Sequence, residues 1–320
     1  MWGFFYLKYM IQTVKRNDQL IIRRLARLEK EVGHTPLVRL RKLFRKKNVQ
    51  IWAKQEWKQL SGSVKCRPAF RIINEALRMD ALKPGMTLLD ATSGNTGIAY
   101  AAIGKRLGIP VTLCLPENAS QDRKEILQSL GAELILTSKF EGTDGAQERA
   151  KEMAWLSPNK YFYADQYRNE HNWKSHYLGT AVEIWNELPR ITHFVAGLGT
   201  TGTFTGTGRR LKVFNPAIQL VSLQPDTALH GMEGWKHLET ARVPGIYDPG
   251  LADRHLEIST EEAYQLMKDV LKYEGWMLSP SAAANLAGAI RVAEQLDKGT
   301  VVTMLPDNAD KYSEVIRKIF

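Results

Sequence analysis

From Pro36 onward one contrast organises the chain: short apolar, β-branched runs alternate with longer stretches of helical periodicity. Residues 50–54, 86–90, 111–115, 133–136, 193–196, 220–223 and 301–305 read as strands, and 97–107, 121–130, 179–187 and 260–273 read as helices. Strands separated by helices of about ten or more residues build a mostly parallel sheet covered on both faces. There are too many strands for one small sheet, and 320 residues are enough for two domains. The expected fold class is therefore α/β, with two three-layer α/β/α domains. In such sheets ligands sit beyond the carboxyl ends of the strands, where loops meet helix N-termini.

The chain carries a formal charge of +10, and all of it is local. Residues 1–47 hold 13 Lys and Arg against Asp18, Glu29 and Glu31, while the remainder balances 31 positive with 31 negative side chains. A nucleic-acid-binding enzyme would spread positive charge around its fold, so no nucleic-acid partner is expected. No run approaches the ~18 apolar residues of a membrane span, and the body is expected to be soluble and cytoplasmic. Cys66 and Cys114 are the only cysteines, which suggests a reducing compartment and offers no metal-ligand cluster.

Residues 1–33 differ from the rest. The apolar opening Met1–Leu7 is too short for a signal peptide's core with a cleavage site. Met10 is an alternative start. After it, Ile21, Ile22, Leu25 and Leu28, interleaved with Arg23, Arg24 and Arg27, form a basic amphipathic helix. Its expected role is packing on the body or across a dimer; membrane-surface contact or organelle targeting are the alternatives.

Three strand-to-helix loops carry unusual chemistry. In Ser61-Gly62-Ser63-Val64-Lys65-Cys66-Arg67-Pro68, Ser63 is the expected N-cap and Pro68 fits a helix's first turn. Lys65 then opposes the helix dipole, which lowers its pKa and makes it nucleophilic towards carbonyls. In Ala91-Thr92-Ser93-Gly94-Asn95-Thr96-Gly97, hydroxyls and backbone N–H groups meet a helix N-terminus without a positive side chain, which suits one carboxylate. Gly197-Leu198-Gly199-Thr200-Thr201-Gly202-Thr203 matches the dinucleotide fingerprint, and its threonines suit a phosphate monoester. Alone, each loop admits a plainer reading, as a solvated lysine or a helix-capping turn.

Together these loops, with Gly33-His34-Thr35-Pro36-Leu37-Val38-Arg39-Leu40, Pro244-Gly245-Ile246-Tyr247 and the Pro306–Tyr312 segment, resemble the cysteine synthase (O-acetylserine sulfhydrylase) family. These are fold-type II pyridoxal-phosphate enzymes. The resemblance runs in order from about residue 33 to 313 and is nearer the B-type. It implies a smaller domain over 59–169 and a larger one from 37–58 plus 170–320, after the extension 1–33. It also implies residue roles. Lys65 would hold pyridoxal 5′-phosphate and act as acid and base at the substrate Cα, and Asn95 would contact the cofactor's 3′-oxygen. Thr92, Ser93, Gly94, Thr96 and Gln166 would hold the substrate carboxylate. Gly199, Thr200, Thr201, Gly202 and Thr203 would cradle the phosphate, and Ser281 would face the pyridine nitrogen. A serine there cannot keep that nitrogen protonated as a carboxylate would, which favours prompt β-elimination.

The implied reaction converts O-acetyl-L-serine to aminoacrylate and adds sulfide to give L-cysteine. O-phosphoserine or thiosulfate remains open as a substrate. The B-type arginine pair is missing from the entrance loop 226–242, where Lys236 or Arg242 could substitute. A homodimer and a docked serine acetyltransferase C-terminal tail are the partners the resemblance suggests. Cystathionine β-synthase, diaminopropionate synthase and the serine or threonine dehydratases share this machinery. The chain departs from the family pattern at Gln59-Leu60 (usually Asn-Pro), at Cys66 (usually Asp) and at Ala282 (usually a hydroxyl residue). Cys66 reads as a structural replacement, although a helix N-terminus favours thiolate. Two rivals come from other classes. A nicotinamide dehydrogenase would use Gly197–Gly202 with Asp226, and a cofactor-free binding protein would use none of the three loops for chemistry. Both leave Lys65 and the 92–97 loop without a role.

Overall fold

The computed structural model describes residues 19–92 and 94–320. The apolar opening, Met10 and Ser93 lie outside the described residues. Ten strands follow in chain order. They are β1 (Leu37–Arg39), β2 (Val49–Gln55), β3 (Thr87–Ala91), β4 (Val111–Pro116), β5 (Glu133–Thr137), β6 (Tyr161–Tyr163), β7 (His193–Gly197), β8 (Gln219–Pro225), β9 (Arg254–Ile258) and β10 (Gly299–Leu305). All seven runs read as strands are strands. The three that were missed, β1, β6 and β9, lie at sheet edges, where partial exposure blurs the apolar pattern.

The strands form a six-stranded sheet in the order β1-β2-β10-β7-β8-β9 and a four-stranded sheet in the order β5-β4-β3-β6. Every pairing is parallel except β1 with β2. In the small sheet the chain moves from β3 outward through β4 to β5, and β6 returns to the other side of β3. In the large sheet β8 and β9 extend from one side of β7, and β10 enters on the other. Each sheet thus reverses its strand order once, and a ligand crevice belongs at such a reversal. The 92–97 loop follows β3 and the 197–203 loop follows β7, so both candidate loops stand at reversal points.

Helices cover both faces of each sheet. On one face of the large sheet the helix Pro280–Glu294 packs Ala283, Leu286 and Val292 against Val195 and Val221. On the other, Ile184, Phe204 and Leu211 pack on Phe194 and Leu220. In the small sheet Ile98 and Ile103 cover Leu88 and Leu113, while Ala146 and Ala150 cover Leu89 and Cys114. β4 is buried along its whole length, as a parallel strand between two helical layers must be.

The helix read over 179–187 begins earlier. A helix Glu170–Ser175 runs through a π-turn at His176–Thr180 into Ala181–Glu187. The amphipathic N-terminal segment is helical over 19–31 and packs on the body. Leu28 is buried in the small-sheet core with Leu25 against it, Arg24 donates to the Leu107 carbonyl at 3.3 Å, and Glu31 pairs with Arg106. Ile22, on the same apolar stripe, is 63% exposed. Among the described residues no helix is long and apolar enough to cross a membrane.

Candidate active site

The helix after Lys65 spans Cys66–Arg78, with Lys65 itself as N-cap and no side-chain capping bond. The expected Ser63 cap is therefore absent. Ser63 is buried in a bridge with Asp307, and its hydroxyl has no partner. The Lys65 amine lines a cavity of about 400 Å³ between the two sheets. Its pKa is lowered as expected, but for a different reason. Burial disfavours the ammonium, and the Asp307 carboxylate opposes the shift. Cys66 is also corrected: burial pushes its thiol up rather than toward thiolate, and it packs with Ala69 and Ile73 as a small apolar residue.

At the end of β3, Thr92 accepts a hydrogen bond from Gly94 N–H at 3.2 Å. Thr96 donates to Gln166 Oε1 at 2.6 Å, and Gln166 Nε2 donates to the Ala91 carbonyl at 3.3 Å. The structure thus brings Thr92, Gly94, Thr96 and Gln166 together on one wall of the cavity. Across from them, Gly199, Thr200, Thr201 and Thr203 line the wall beside the N-terminus of the helix Gly202–Phe214. Ser281 and Asn95 also line it.

The loop after β7 is built for close approach. A Cβ on Gly199 would lie 2.1 Å from the Gly234 carbonyl oxygen, and one on Gly202 would lie 2.0 Å from Asn172 Oδ1. Thr201 holds φ = 68°, a left-handed conformation that is strained for a β-branched residue. Its hydroxyl is buried without a partner. Asn172 donates to Thr200 Oγ1 at 3.1 Å, while its own Oδ1 is unpartnered. The open Thr201 hydroxyl and the N–H groups of the helix N-terminus are donors of the kind that hold a phosphate.

Sequence reasoning missed the residues that join these walls. Asp307 is fully buried and accepts from Asn95 Nδ2 at 2.8 Å, from the Tyr312 hydroxyl at 2.6 Å and from the Ser279 hydroxyl. Ser279 lies 3.2 Å from Ser281. Asp307 only accepts, so it turns the Asn95 amide nitrogen toward itself and leaves Asn95 Oδ1 unpartnered. Arg123 and Glu233 form an ion pair in the cavity lining. No sequence signal marked Arg123, which looks like the polar face of a surface helix. Of the two cations proposed for the entrance loop, Lys236 lines the cavity, over the Tyr167 ring at 5.2 Å. Arg242 does not line it; it pairs with Glu148 at 2.6 Å on the surface. Asp226 is exposed outside the cavity, so it is not where a ribose-binding acid would stand.

These residues fit pyridoxal phosphate. A lysine with a lowered pKa, a glycine- and threonine-rich loop at a helix N-terminus and a wall of hydroxyl and amide groups face one cavity of ligand size. Over residues 28–307 the chain matches the family of pyridoxal-phosphate dependent enzymes. It is 46% identical over 291 residues to a cysteine synthase of Aquifex aeolicus, covering 88% of this chain and 89% of that protein. It is 38% identical to cysteine synthase B of Escherichia coli, covering 90% and 94%. The solved cysteine synthase of Entamoeba histolytica superposes with a TM-score of 0.87 at 32% identity, covering 92% and 90%. The chain belongs to the pyridoxal-phosphate-dependent enzymes and, within them, to the cysteine synthases.

Proposed function

We propose that this enzyme replaces the β-substituent of O-acetyl-L-serine with sulfide to give L-cysteine. The observation that carries this reading is the position of the Lys65 amine, which shares one cavity with a carboxylate-binding wall and a phosphate-binding wall. Bound pyridoxal phosphate supplies the electron sink that acidifies the substrate Cα–H and lets the β-substituent leave. The chain supplies the remainder. Lys65 holds the cofactor through its amine and moves the proton at Cα, because burial leaves that amine neutral more often than a surface lysine. Thr92, Ser93, Gly94, Thr96 and Gln166 hold the substrate carboxylate and orient Cα toward Lys65. Gly199 through Thr203 bind the phosphate through backbone N–H groups, hydroxyls and the helix N-terminus. Ser281 faces the ring nitrogen and Asn95 the 3′-oxygen.

In this reading residues 59–169 form the smaller domain, and 37–58 with 170–320 form the larger. The catalyst is a cytoplasmic homodimer, and the mouth of its cavity admits the C-terminal tail of a serine acetyltransferase. The test is an absorbance titration of purified protein. A band near the visible edge is expected from cofactor bound at Lys65; O-acetylserine should bleach it and sulfide should restore it. Protein with no such band after added pyridoxal phosphate overturns the cofactor assignment. A band that O-acetylserine leaves unmoved overturns the substrate assignment alone.

A further inference from the structure

The mouth of the cavity holds a charge arrangement that the reaction as described does not use. Arg123, from the helix Gln121–Ser129, is 6% exposed. It stacks over the Tyr312 ring at 4.9 Å and lines the cavity, and its Nε is buried without a partner. One guanidinium nitrogen lies 3.9 Å from where a Cβ on Gly94 would stand, beside the carboxylate loop. Among the described residues it is the one arginine in the lining, and its ion partner is Glu233, the one carboxylate there. Glu233 belongs to the entrance loop and is held at its base: Gly231 has no room for a side chain beside Tyr264, and Trp235 is buried in the large-sheet core.

We propose that Glu233 determines substrate charge: by occupying Arg123 it keeps the cavity selective for a neutral β-ester of serine over an ester or sulfur donor that brings an oxyanion. The inference rests on the β-replacement reading above. In either ester the Cβ–O bond breaks, with its electron pair leaving on oxygen, and sulfide forms Cβ–S. The esters differ in the charge they bring to the mouth. A planar guanidinium is a strong hydrogen-bond donor to phosphate or thiosulfate oxygens. With Glu233 seated on it, an incoming dianion must displace a carboxylate and then stand beside it, whereas an acetyl ester meets a neutral pair. Discrimination here comes from a repulsive group rather than a missing attractive one.

The experiment compares wild type, E233Q, R123K and the double variant E233Q/R123M. Two quantities are read: the ratio of kcat/KM for O-phosphoserine to that for O-acetylserine, and the Kd for inorganic phosphate by calorimetry on the cofactor-loaded enzyme. E233Q frees Arg123, so the ratio should rise about tenfold and phosphate should bind correspondingly tighter, with salt weakening the gain. E233Q/R123M should lose both gains. R123K keeps Glu233 paired and should stay near the wild-type ratio, a control for simple damage to the mouth. A ratio and a phosphate Kd that E233Q leaves unmoved overturn the inference, as does a gain that survives in the double variant. O-acetylserine with thiosulfate in place of sulfide tells whether the freed oxyanion site serves the leaving group or the sulfur donor. Wild-type protein that turns over neither ester refutes the β-replacement reading instead, and the phosphate arm still decides the role of Glu233.

Discussion

Two buried polar clusters grow from the same short stretch of chain, residues 54 to 67, and they are finished in different ways. On one side Arg67 donates Nε to Glu56 Oε2 at 2.7 Å and Nη1 to Glu183 Oε1 at 2.6 Å. Lys54, wholly buried, lies 2.9 Å from Glu183 and donates to the Thr35 carbonyl at 2.6 Å. Thr35 and Gln59 donate to the remaining Glu56 oxygen positions, and Gln59 also accepts from Gly33 N–H. Every charge there has an opposite charge and its hydrogen bonds. On the other side, Lys65 lines the cavity, and Asn95 Oδ1, Asn172 Oδ1 and Thr201 Oγ1 are buried without partners. A satisfied buried cluster is structure, and an unsatisfied one of the same polarity is a site awaiting its ligand. The pairing also accounts for one departure from the family pattern: Gln59 is part of the completed network.

The sharpest way to break this contrast is to remove each side's central basic side chain. Lys65→Ala should abolish the Lys65-dependent absorbance band and lower turnover by at least about 10³-fold, since cofactor attachment and proton transfer are lost together. Compared with cofactor-free wild type, its unfolding midpoint in urea should not fall, because no ion pair is broken. Arg67→Met should do the reverse. Leaving Glu56 buried without its partner costs about 3–5 kcal/mol, read by urea denaturation, while the folded fraction keeps the band. If Arg67→Met removes the band from folded protein, or Lys65→Ala destabilises by a similar amount, the division between the clusters is wrong.

A finer test concerns the cradle alone. In Gly199→Ala the new methyl carbon meets the Gly234 carbonyl oxygen, a backbone atom that cannot swing away. Overpacking of this kind costs about 1–3 kcal/mol. Because the clash lies in the phosphate loop, the expected reading is a roughly tenfold to hundredfold weaker Kd for pyridoxal phosphate. Weakened substrate affinity with unchanged cofactor affinity would move the phosphate site elsewhere.

The contrast also explains what was legible in the chain. Strands β2, β3, β4, β7, β8 and β10 were readable because burial on two faces demands continuous apolar runs. The loops after β3 and β7 were readable because glycine and hydroxyl residues at strand ends have few other uses. Asp307, Tyr312, Asn172 and Arg123 were not readable as one site. They come from three separate segments, and only the packing of the fold brings Arg123 and Tyr312 into the cavity lining and sets Asp307 and Asn172 against residues that line it. Lys65 was identified with the wrong cause and Cys66 with the wrong tendency for the same reason. A helix N-terminus can be read from sequence, but the depth of burial that outweighs its dipole cannot.

The smallest effect distinguishes two buried carboxylates, one on each side. Burial raises the pKa of Glu183, but hydrogen bonds and charge from Arg67 and Lys54 overcome it and hold the group well below the carboxylate range. Asp90, at the end of β3, has no such cation. Burial pushes its carboxyl up to about 7, while the Ala91 N–H that it accepts at 2.8 Å partly offsets the shift. The signs are opposite. Glu183 contributes stability that is present at neutral pH and lost as pH falls through its depressed pKa. Asp90 binds its proton more tightly folded than unfolded, so its part of the stability is lost as pH rises from about 4 to about 7, by at most about 1.4 kcal/mol per pH unit. Asp90→Asn should remove that falling slope from the stability–pH curve and leave the acid limb from Glu183 in place. The same substitution should reach function, because Asp90 lies at the foot of the loop proposed to hold the substrate carboxylate and accepts weakly from Gln166 N–H at 3.4 Å. Ionised Asp90 places a negative charge behind an anion site. The KM for the amino-acid substrate should therefore rise about twofold to threefold as pH passes through 7 in the wild type and stay level in Asp90→Asn. A KM that rises equally in both would mean that the buried carboxyl does not act on the loop above it.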